Sequence, residues 1–189
     1  MQSAPSSAAP SAPLPVVIIL ASGRGERFAA SGGSVHKLAA MLAGKPVLAH
    51  AIDAARASGL PIHIEAASHP GMGDSIAAAV RATREAAGWL ILPGDLPLVL
   101  PDTLQTIARA LENHDVVQPW VAGQRGHPVG FSRRCAGDLM ALSGDEGARS
   151  VVQRFGPHRL DLDDEGCITD VDTVQALTQA EASLAGRAR

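Results

Sequence analysis

The sequence predicts an α/β sandwich with a mainly parallel sheet. Segments typical of strands alternate with segments typical of helices along almost the whole chain, which is the order that parallel sheets require. Two of the strand segments, Val16–Leu20 and Trp89–Leu92, are apolar at every position, as expected for strands buried on both faces. With 189 residues, 46% of them hydrophobic, the chain is long enough for one domain with a substantial core.

The first half of the chain places two helices and a strand between these buried strands. Apolar residues spaced for one face predict a helix over residues 47–57, which a Ser-Gly pair ends. Alternating apolar and polar residues predict a strand over 61–67. A second helix begins at Asp74 or Ser75 as its cap and reaches about residue 86.

The second half continues the alternation. Pro101 begins a helix to about residue 112, and a tight polar loop over 123–128 separates two further strands. Those strands cover residues 115–120 and 129–131. The remaining predicted elements are helices over 134–142 and 146–155, a strand over 158–162 and a closing helix from residue 172.

The composition limits which partners the protein could bind and in which cellular compartment we expect it. A net charge of −3 gives no basic surface for nucleic acid or an anionic membrane, and no apolar run approaches the ~20 residues of a membrane span. Cys135 and Cys167 form no CxxC pair and are interpreted as reduced structural thiols. Residues 1–15 are rich in Ser, Ala and Pro and lack a secretory pattern, so we expect a flexible tail, one domain over 16–189 and a cytoplasmic protein.

The loop after the first strand predicts a polyphosphate site. Gly23 and Gly25 allow close backbone approach, and Arg24, Arg27 and Lys37 bring three cations to the edge of a sheet where open α/β folds bind ligands. The loop is not a dinucleotide fingerprint, because a phenylalanine stands at the third glycine position. The alternative is an ordinary glycine turn with solvated arginines.

Acidic residues at the same sheet edge indicate a divalent metal. Asp95 follows the second buried strand, and a carboxylate beside phosphate oxygens suits Mg²⁺. Asp95 could instead cap the Pro-Gly turn around it. Asp170 and Asp172 share one face of an extended segment ahead of the last helix. Asp172 is the favoured cap of that helix, and we expect at least one of the two to face the metal.

Two later segments carry groups suited to a second, anionic substrate. Arg125, Gly126 and His127 lie in a loop between strands, where positioning residues are common. His127 could be a structural histidine, a general base or a positioning residue, and substrate positioning is favoured. Arg149 could contact the same substrate, or its segment could be only a helix start capped by Asp145.

Taken in order, these motifs resemble the MobA-like nucleotidyltransferase family, and within it the molybdenum cofactor cytidylyltransferase branch. The resemblance covers essentially everything after residue 15. The matching stretches are LASGRGERF (20–28) with Lys37, GKPVLAHAID (44–53), GMGDSIAAAV (71–80), PGDLPLV (93–99), RGHPVGF (125–131), GDEGAR (144–149) and DVDT (170–173).

The resemblance implies a three-layer α/β/α fold of the GT-A-like, nucleotide-diphospho-sugar transferase type. It implies Mg²⁺-dependent attack of the molybdopterin phosphate on CTP, with release of pyrophosphate and possible hand-over to a molybdoenzyme. The implied catalytic residues are Arg24, Arg27, Lys37 and Asp95. The nucleotide would contact Leu20, Ala21, Gly23, Arg24, Gly25, Lys37, Gly73 and Ser75; the metal Asp95 with Asp170 or Asp172; the acceptor Arg125, Gly126, His127 and Arg149.

Two departures from the family pattern leave the nucleotide open. His36 stands where the family commonly has an Asp, and the strand and helix before the GMGDS motif are shortened to residues 60–68. The alternatives are a guanylyltransferase using GTP, a sugar-phosphate nucleotidyltransferase, and a non-catalytic carrier of molybdenum cofactor.

Overall fold

The computed structural model describes residues 13–23 and 25–187. Most of the predicted tail, residues 1–12, and the predicted site residue Arg24 therefore lie outside the described residues. The strands are β1 Val16–Leu20, β2 Met41–Leu42, β3 Lys45–Pro46, β4 Ile62–Glu65, β5 Gly88–Pro93, β6 Val116–Val121, β7 Gln124–Arg125, β8 Val129–Ser132 and β9 His158–Asp161. The α-helices are α1 Glu26–Ala30, α2 Val47–Ala57, α3 Met72–Ala82, α4 Pro101–Ala110, α5 Ala136–Met140, α6 Arg149–Phe155 and α7 Val174–Arg187.

Seven strands form the main sheet in the order β4-β1-β5-β8-β6-β7, with β9 paired to β6. Strand β1 runs parallel to both β4 and β5, and β6 runs parallel to β9. Strand β8 is antiparallel to β5 and to β6. The sheet is thus mixed, and the predicted parallel core around β1 is confirmed.

Alternate residues of β1 face opposite layers of helices. Val17 and Ile19 pack with apolar residues of α2 and α4, whereas Val16 and Ile18 pack with those of α3, α5 and α6. This two-sided burial explains why β1 is apolar throughout. It also produces the three layers, helix–sheet–helix, that the family resemblance implies.

A third apolar cluster packs the loop after β1 against the rest of the protein. It includes a residue of helix α1, which the sequence analysis did not predict. Helix α1 lies inside the predicted loop, and its Phe28 is only 2% exposed. Phe28 packs in the cluster that also contains Leu38, Val171 and residues of α7. The phenylalanine at the third glycine position therefore anchors the loop to the C-terminal helix.

Three predicted helix caps are wrong. Helix α3 begins at Met72 and ends at Ala82, with Ser75 inside it, and Asp74 accepts a hydrogen bond from the Gly144 amide (2.9 Å). Helix α6 begins at Arg149 without a side-chain cap, so Asp145 does not cap it. Helix α7 begins at Val174, and its first turn is capped by Thr173, whose hydroxyl accepts from the Ala176 amide (3.1 Å).

The polar loop predicted over 123–128 contains a short strand, because β7 pairs antiparallel with the end of β6. The helix predicted over 134–142 is shorter: α5 covers 136–140 and follows a 3-10 turn. Within residues 13–23 and 25–187, no helix is both long and apolar enough to cross a membrane.

Candidate functional site

A cavity of about 450 Å³ opens at the carboxyl ends of β1 and β5, next to the start of α3. It contains most of the residues predicted to hold nucleotide and metal. Of those, Leu20, Gly23, Gly25, Arg27, Lys37, Ser75, Asp95 and Asp172 line it. Three described residues that were also predicted to contact nucleotide or metal do not line this cavity: Ala21, Gly73 and Asp170.

Lys37 is the electrostatic centre of this cavity. Its Nζ donates to Asp95 Oδ2 (2.5 Å) and to Asp172 Oδ1 (2.6 Å), and Arg27 pairs with the other oxygen of Asp172. Burial lowers the pKa of Lys37, but the bonds to Asp172 and Asp95 outweigh it and the pKa is raised. For Asp172 the signs are reversed: burial alone would raise the pKa of the carboxyl, but the hydrogen bond from Lys37 outweighs burial and the pKa is lowered. The pair is therefore ionised at neutral pH.

Backbone hydrogen bonds join three distant parts of the chain at this site. The Val171 amide donates to the Asp95 carbonyl (2.9 Å), which places Asp172 beside Asp95. The Gly94 amide donates to the Leu20 carbonyl (2.9 Å). A Cβ on Gly94 would lie 2.9 Å from that same carbonyl oxygen, so the turn after β5 can approach β1 only without a side chain.

His36, one of the departures from the family pattern, fixes the loop that carries Lys37. Its Nε2 lies 2.6 Å from the Gly23 carbonyl, and its Nδ1 accepts from the Leu38 amide (3.3 Å). A carbonyl can only accept, so Nε2 carries the proton and Nδ1 is free to accept. One ring thus caps the 3-10 turn at Lys37 and holds the glycine loop to it.

The carboxylates of Asp95 and Asp172 converge on one cation, which is the donor chemistry that Mg²⁺ requires. Among the described residues, no group of three or more His, Cys, Asp or Glu side chains could hold a metal alone. Two carboxylates are nevertheless sufficient where substrate phosphates supply further oxygens. Asp170 lies at the exposed rim of the site, where its surroundings partly desolvate the carboxyl; this desolvation and the adjacent Asp172 raise its pKa.

A second cavity of about 350 Å³ shares Leu20, Met72 and Pro93 with the first. Three of the predicted acceptor residues, Arg125, His127 and Arg149, line it. Gly126 is outside its lining; a Cβ there would lie 2.8 Å from the Cβ of Cys167. Much of the remaining wall is apolar and comes from Ile76, Ile91, Val129, Phe131 and Val152.

His127 lines the second cavity and remains exposed to solvent there. Desolvation lowers the pKa of the imidazole, and the negative charge of Asp95 partly opposes this. The His127 amide donates to the Cys167 carbonyl (2.8 Å), which ties the loop to the segment that precedes Asp172. The backbone of His127 is therefore held in place, and the lowered pKa keeps its ring neutral at physiological pH.

Sequence reasoning missed several lining residues. His69 and Asp145 line the first cavity, Ser22 also lines it and bonds Ser75 (3.1 Å between hydroxyl oxygens), and Gln118 and Glu146 line the second. The sequence could have indicated His69, because it follows a strand of the parallel core and therefore lies at the same sheet edge as the other predicted site residues. Nothing indicated Gln118, because an isolated polar residue in a strand has no distinctive pattern.

Comparison with known proteins agrees with this architecture. The bifunctional protein GlmU of Xylella fastidiosa strain M23 is 30% identical over 165 residues, covering 74% of this chain, which spans only 35% of that relative's length. The crystal structure of Rv0371c from Mycobacterium tuberculosis H37Rv superposes with a TM-score of 0.76 at 25% identity, covering 91% of this chain and 99% of the other.

Two further solved structures share the fold at lower identity. The Rv0371c complex with manganese has a TM-score of 0.72 at 23% identity, covering 90% and 99% of the two chains. The molybdopterin-guanine dinucleotide biosynthesis protein A from Archaeoglobus fulgidus has a TM-score of 0.68 at 17%, also covering 90% and 99%. The predicted GT-A-like fold is confirmed. The family model of the MobA-like NTP transferase domain matches residues 53–160, more than half of the chain, and the chain belongs to this family.

Proposed function

We propose that this chain is a Mg²⁺-dependent nucleotidyltransferase that transfers a nucleoside monophosphate from CTP to the phosphate of molybdopterin. The observation that carries the proposal is the pair of adjoining cavities with a cluster of cations and carboxylates beside their shared wall. One cavity offers a nucleotide site and the other an acceptor site. Because the cavities share Leu20, Met72 and Pro93, the acceptor and the triphosphate would lie next to each other.

In the proposed reaction, an acceptor phosphate oxygen forms a bond to the α-phosphorus of the triphosphate. The bond from that phosphorus to the bridging α–β oxygen breaks, and pyrophosphate leaves with the electron pair. A phosphate monoester is largely dianionic at pH 7, so no general base is required and His127 serves to position the acceptor. The cations Arg27 and Lys37 stabilise the charge that develops on the triphosphate.

Asp95 and Asp172 are the residues that would hold the metal. Their convergence on one cation supports this role. The complex of the structurally similar Rv0371c with manganese supports a divalent ion, without indicating its ligands. A divalent ion held there would neutralise phosphate charge and orient the triphosphate. On binding of nucleotide, Lys37 would exchange at least one carboxylate for a phosphate oxygen.

The lining of the second cavity fits an acceptor that carries negative charge and also has an apolar surface. Arg125 and Arg149 can hold a phosphate, and the apolar wall suits a planar ring better than a sugar, whose hydroxyl groups need polar partners. A molybdopterin-type acceptor meets both requirements. Its product would then pass to a molybdoenzyme.

The test is pyrophosphate release by the purified protein with Mg²⁺ and molybdenum cofactor, comparing CTP, GTP, ATP and UTP. We expect release with CTP, and a loss of at least 10²-fold in Asp95→Ala, since a metal ligand supplies transition-state charge stabilisation. Asp53→Ala removes an exposed carboxylate paired with Lys45 and is the matched control.

Each of the other outcomes contradicts part of the proposal. Release with GTP alone would make the chain a guanylyltransferase, and release only with a sugar phosphate as acceptor would exclude molybdopterin. Equal activity of the Asp95→Ala variant and the parent would exclude the catalytic role of the site and favour a carrier of cofactor.

A further inference from the structure

A buried cluster at the end of β4 is not used by the proposed chemistry. Glu65 is only 8% exposed, although it is ionisable, and it is surrounded by His63 and His69. His69 lines the first cavity, whereas His63 is absent from the described lining of both. The chain therefore keeps a buried carboxylate whose polar partner faces the nucleotide site.

We propose that His69, oriented by Glu65, contacts the exocyclic amino group of the nucleobase and favours cytosine over uracil. This inference rests on the proposed nucleotide site and names the residue that makes it selective. His69 is the contacting residue, and Glu65 is a positioning residue that acts through it.

The contacts of Glu65 define the proton positions in the cluster. Its Oε1 accepts from the Ala67 amide (3.0 Å) and lies 3.2 Å from His69 Nε2, while Oε2 lies 3.5 Å from His63 Nε2. Burial raises the pKa of Glu65, but the bonds from Ala67, His69 and His63 outweigh it and the pKa is lowered. Glu65 is ionised at neutral pH and can only accept hydrogen bonds.

The tautomer of His69 follows from this. Since the carboxylate accepts, Nε2 of His69 must carry its proton, and in the neutral ring Nδ1 is left as a hydrogen-bond acceptor. The same tautomer is fixed in His36 by the Gly23 carbonyl. The ring at the cavity wall thus offers a nitrogen lone pair to a donor on the ligand.

The sheet topology places His69 where the base is expected. In the order β4-β1-β5, His69 follows β4 and Asp95 follows β5, and these two strands lie on opposite sides of β1, two strand spacings or roughly 10 Å apart. Arg27 and Lys37 belong to the Asp95 side, where they pair with Asp172. With the triphosphate at the cations, the base extends towards His69.

An acceptor at this position distinguishes the two pyrimidines. Cytosine carries an amino group, a donor, at the position where uracil carries a carbonyl oxygen, an acceptor. The lone pair of His69 would bond the first and face the lone pairs of the second. A single such contact corresponds to a preference of about 5- to 30-fold.

The experiment measures equilibrium affinity for CTP and UTP, with Mg²⁺, by calorimetry, so that no turnover is required. We expect the parent to prefer CTP, and His69→Ala to lose most of that preference by weakening CTP more than UTP. His69→Gln, which keeps a carbonyl acceptor, should retain part of it. His63→Ala is the matched control, because it removes the other contact to the same carboxylate. Glu65→Gln should reduce the preference without abolishing binding.

Three results would overturn the inference. The parent could bind UTP as tightly as CTP, or bind neither. The ratio of CTP to UTP affinity could be unchanged in His69→Ala, or His63→Ala could lose the preference as fully as His69→Ala does. Melting temperatures of all variants show whether a loss reflects unfolding. If binding depends on His69 as expected but no pyrophosphate is released with any nucleotide, the proposed function fails and this inference stands.

Discussion

At the scale of single residues, the proposed function gives Lys37 two roles that it cannot serve at once. In the free protein its ammonium is bonded to both Asp95 and Asp172, at a depth where the side chains are only 12–15% exposed. In the proposed function, the triphosphate would need the same ammonium and the metal the same carboxylates. On that proposal, a lysine between two carboxylates would hold the site together until metal and nucleotide bind.

This arrangement predicts an effect of Lys37→Met on stability that depends on metal. Without the ammonium, the two carboxylates face each other, although Arg27 still pairs with Asp172, and we expect a loss of about 1–3 kcal/mol in the free energy of unfolding. Mg²⁺ should raise the melting temperature of the variant more than that of the parent, since it replaces the missing cation without competition.

Lys45→Met is the matched control, because Lys45 pairs with Asp53 at the surface, where both side chains are about half exposed. It should alter neither the free energy of unfolding nor the response to Mg²⁺ by more than ~0.5 kcal/mol. An equal response to Mg²⁺ in the parent and Lys37→Met would contradict a metal site between Asp95 and Asp172.

The residue scale also shows where prediction from the sequence ends. The types and order of Lys37, Asp95 and Asp172 were enough to predict a common site, because strand ends in a parallel sheet meet at one edge. That Asp172 would bond Lys37 rather than cap α7 could not be predicted, since a cap depends on where the helix starts. Thr173 takes the cap, and Asp172 is left free for the cavity.

At the scale of elements, the start of α3 is held by a close contact between backbones. The Gly73 amide donates to the Gly144 carbonyl (2.7 Å), and the Gly144 amide donates to Asp74 (2.9 Å). A Cβ on Gly71 would lie 2.3 Å from the carbonyl carbon and oxygen of Gly144. The glycines of the GMGDS motif are thus required by packing of α3 against the loop that carries Asp145.

Gly71→Ala should therefore act through sterics alone, because the φ of −149° and ψ of 175° at Gly71 are open to alanine. We expect a loss of about 1–3 kcal/mol in the free energy of unfolding in urea, as for overpacked sites, and a raised KM for nucleotide. Gly137→Ala in α5 is the control: nothing lies within 4 Å of its Cβ, so it should be neutral or stabilise by ~0.5–1 kcal/mol. A Gly71→Ala variant as stable as the parent would show that the loop at Gly144 yields without cost.

Helices and strands with a regular spacing of apolar residues were predicted well. Elements that depend on tertiary contacts were not. Helix α2 begins and ends where the apolar spacing indicated, at Val47 and Ala57. Helix α1 has only five residues and depends on burial of Phe28 in the third cluster. Strand β7 has two residues and exists because β6 offers it a partner. No local pattern distinguishes such segments from loops.

At the scale of the whole molecule, buried charges set the pH range in which the fold is stable. Glu65 and Asp172 are each 8% exposed, and both have lowered pKa values, from ordinary values of 4.5 and 3.8. Their stabilisation is present above those ordinary values and is lost as pH falls through the folded-state values. Lys37 has a raised pKa, so its stabilisation is complete below 10.5 and is lost as pH rises through its folded-state value. Asp170, with a raised pKa, opposes the acid loss in part.

The free energy of unfolding should therefore be nearly constant from about pH 7 to 9. It should begin to fall below about pH 6.5, because His127 has a lowered pKa and is protonated more readily in the unfolded chain, and fall further below about pH 4.5. Glu65→Gln tests a buried carboxylate of this profile that lies outside the cluster of Lys37, Asp95 and Asp172. At pH 7 it should cost about 1–3 kcal/mol, because it replaces a carboxylate that accepts from an amide and two imidazoles. Between pH 6 and 3.5 the variant should lose less stability than the parent, so that the two curves converge in acid. Urea unfolding at half-unit pH intervals measures both curves, and parallel curves over that range would mean that Glu65 is not the ionised centre of the cluster at β4.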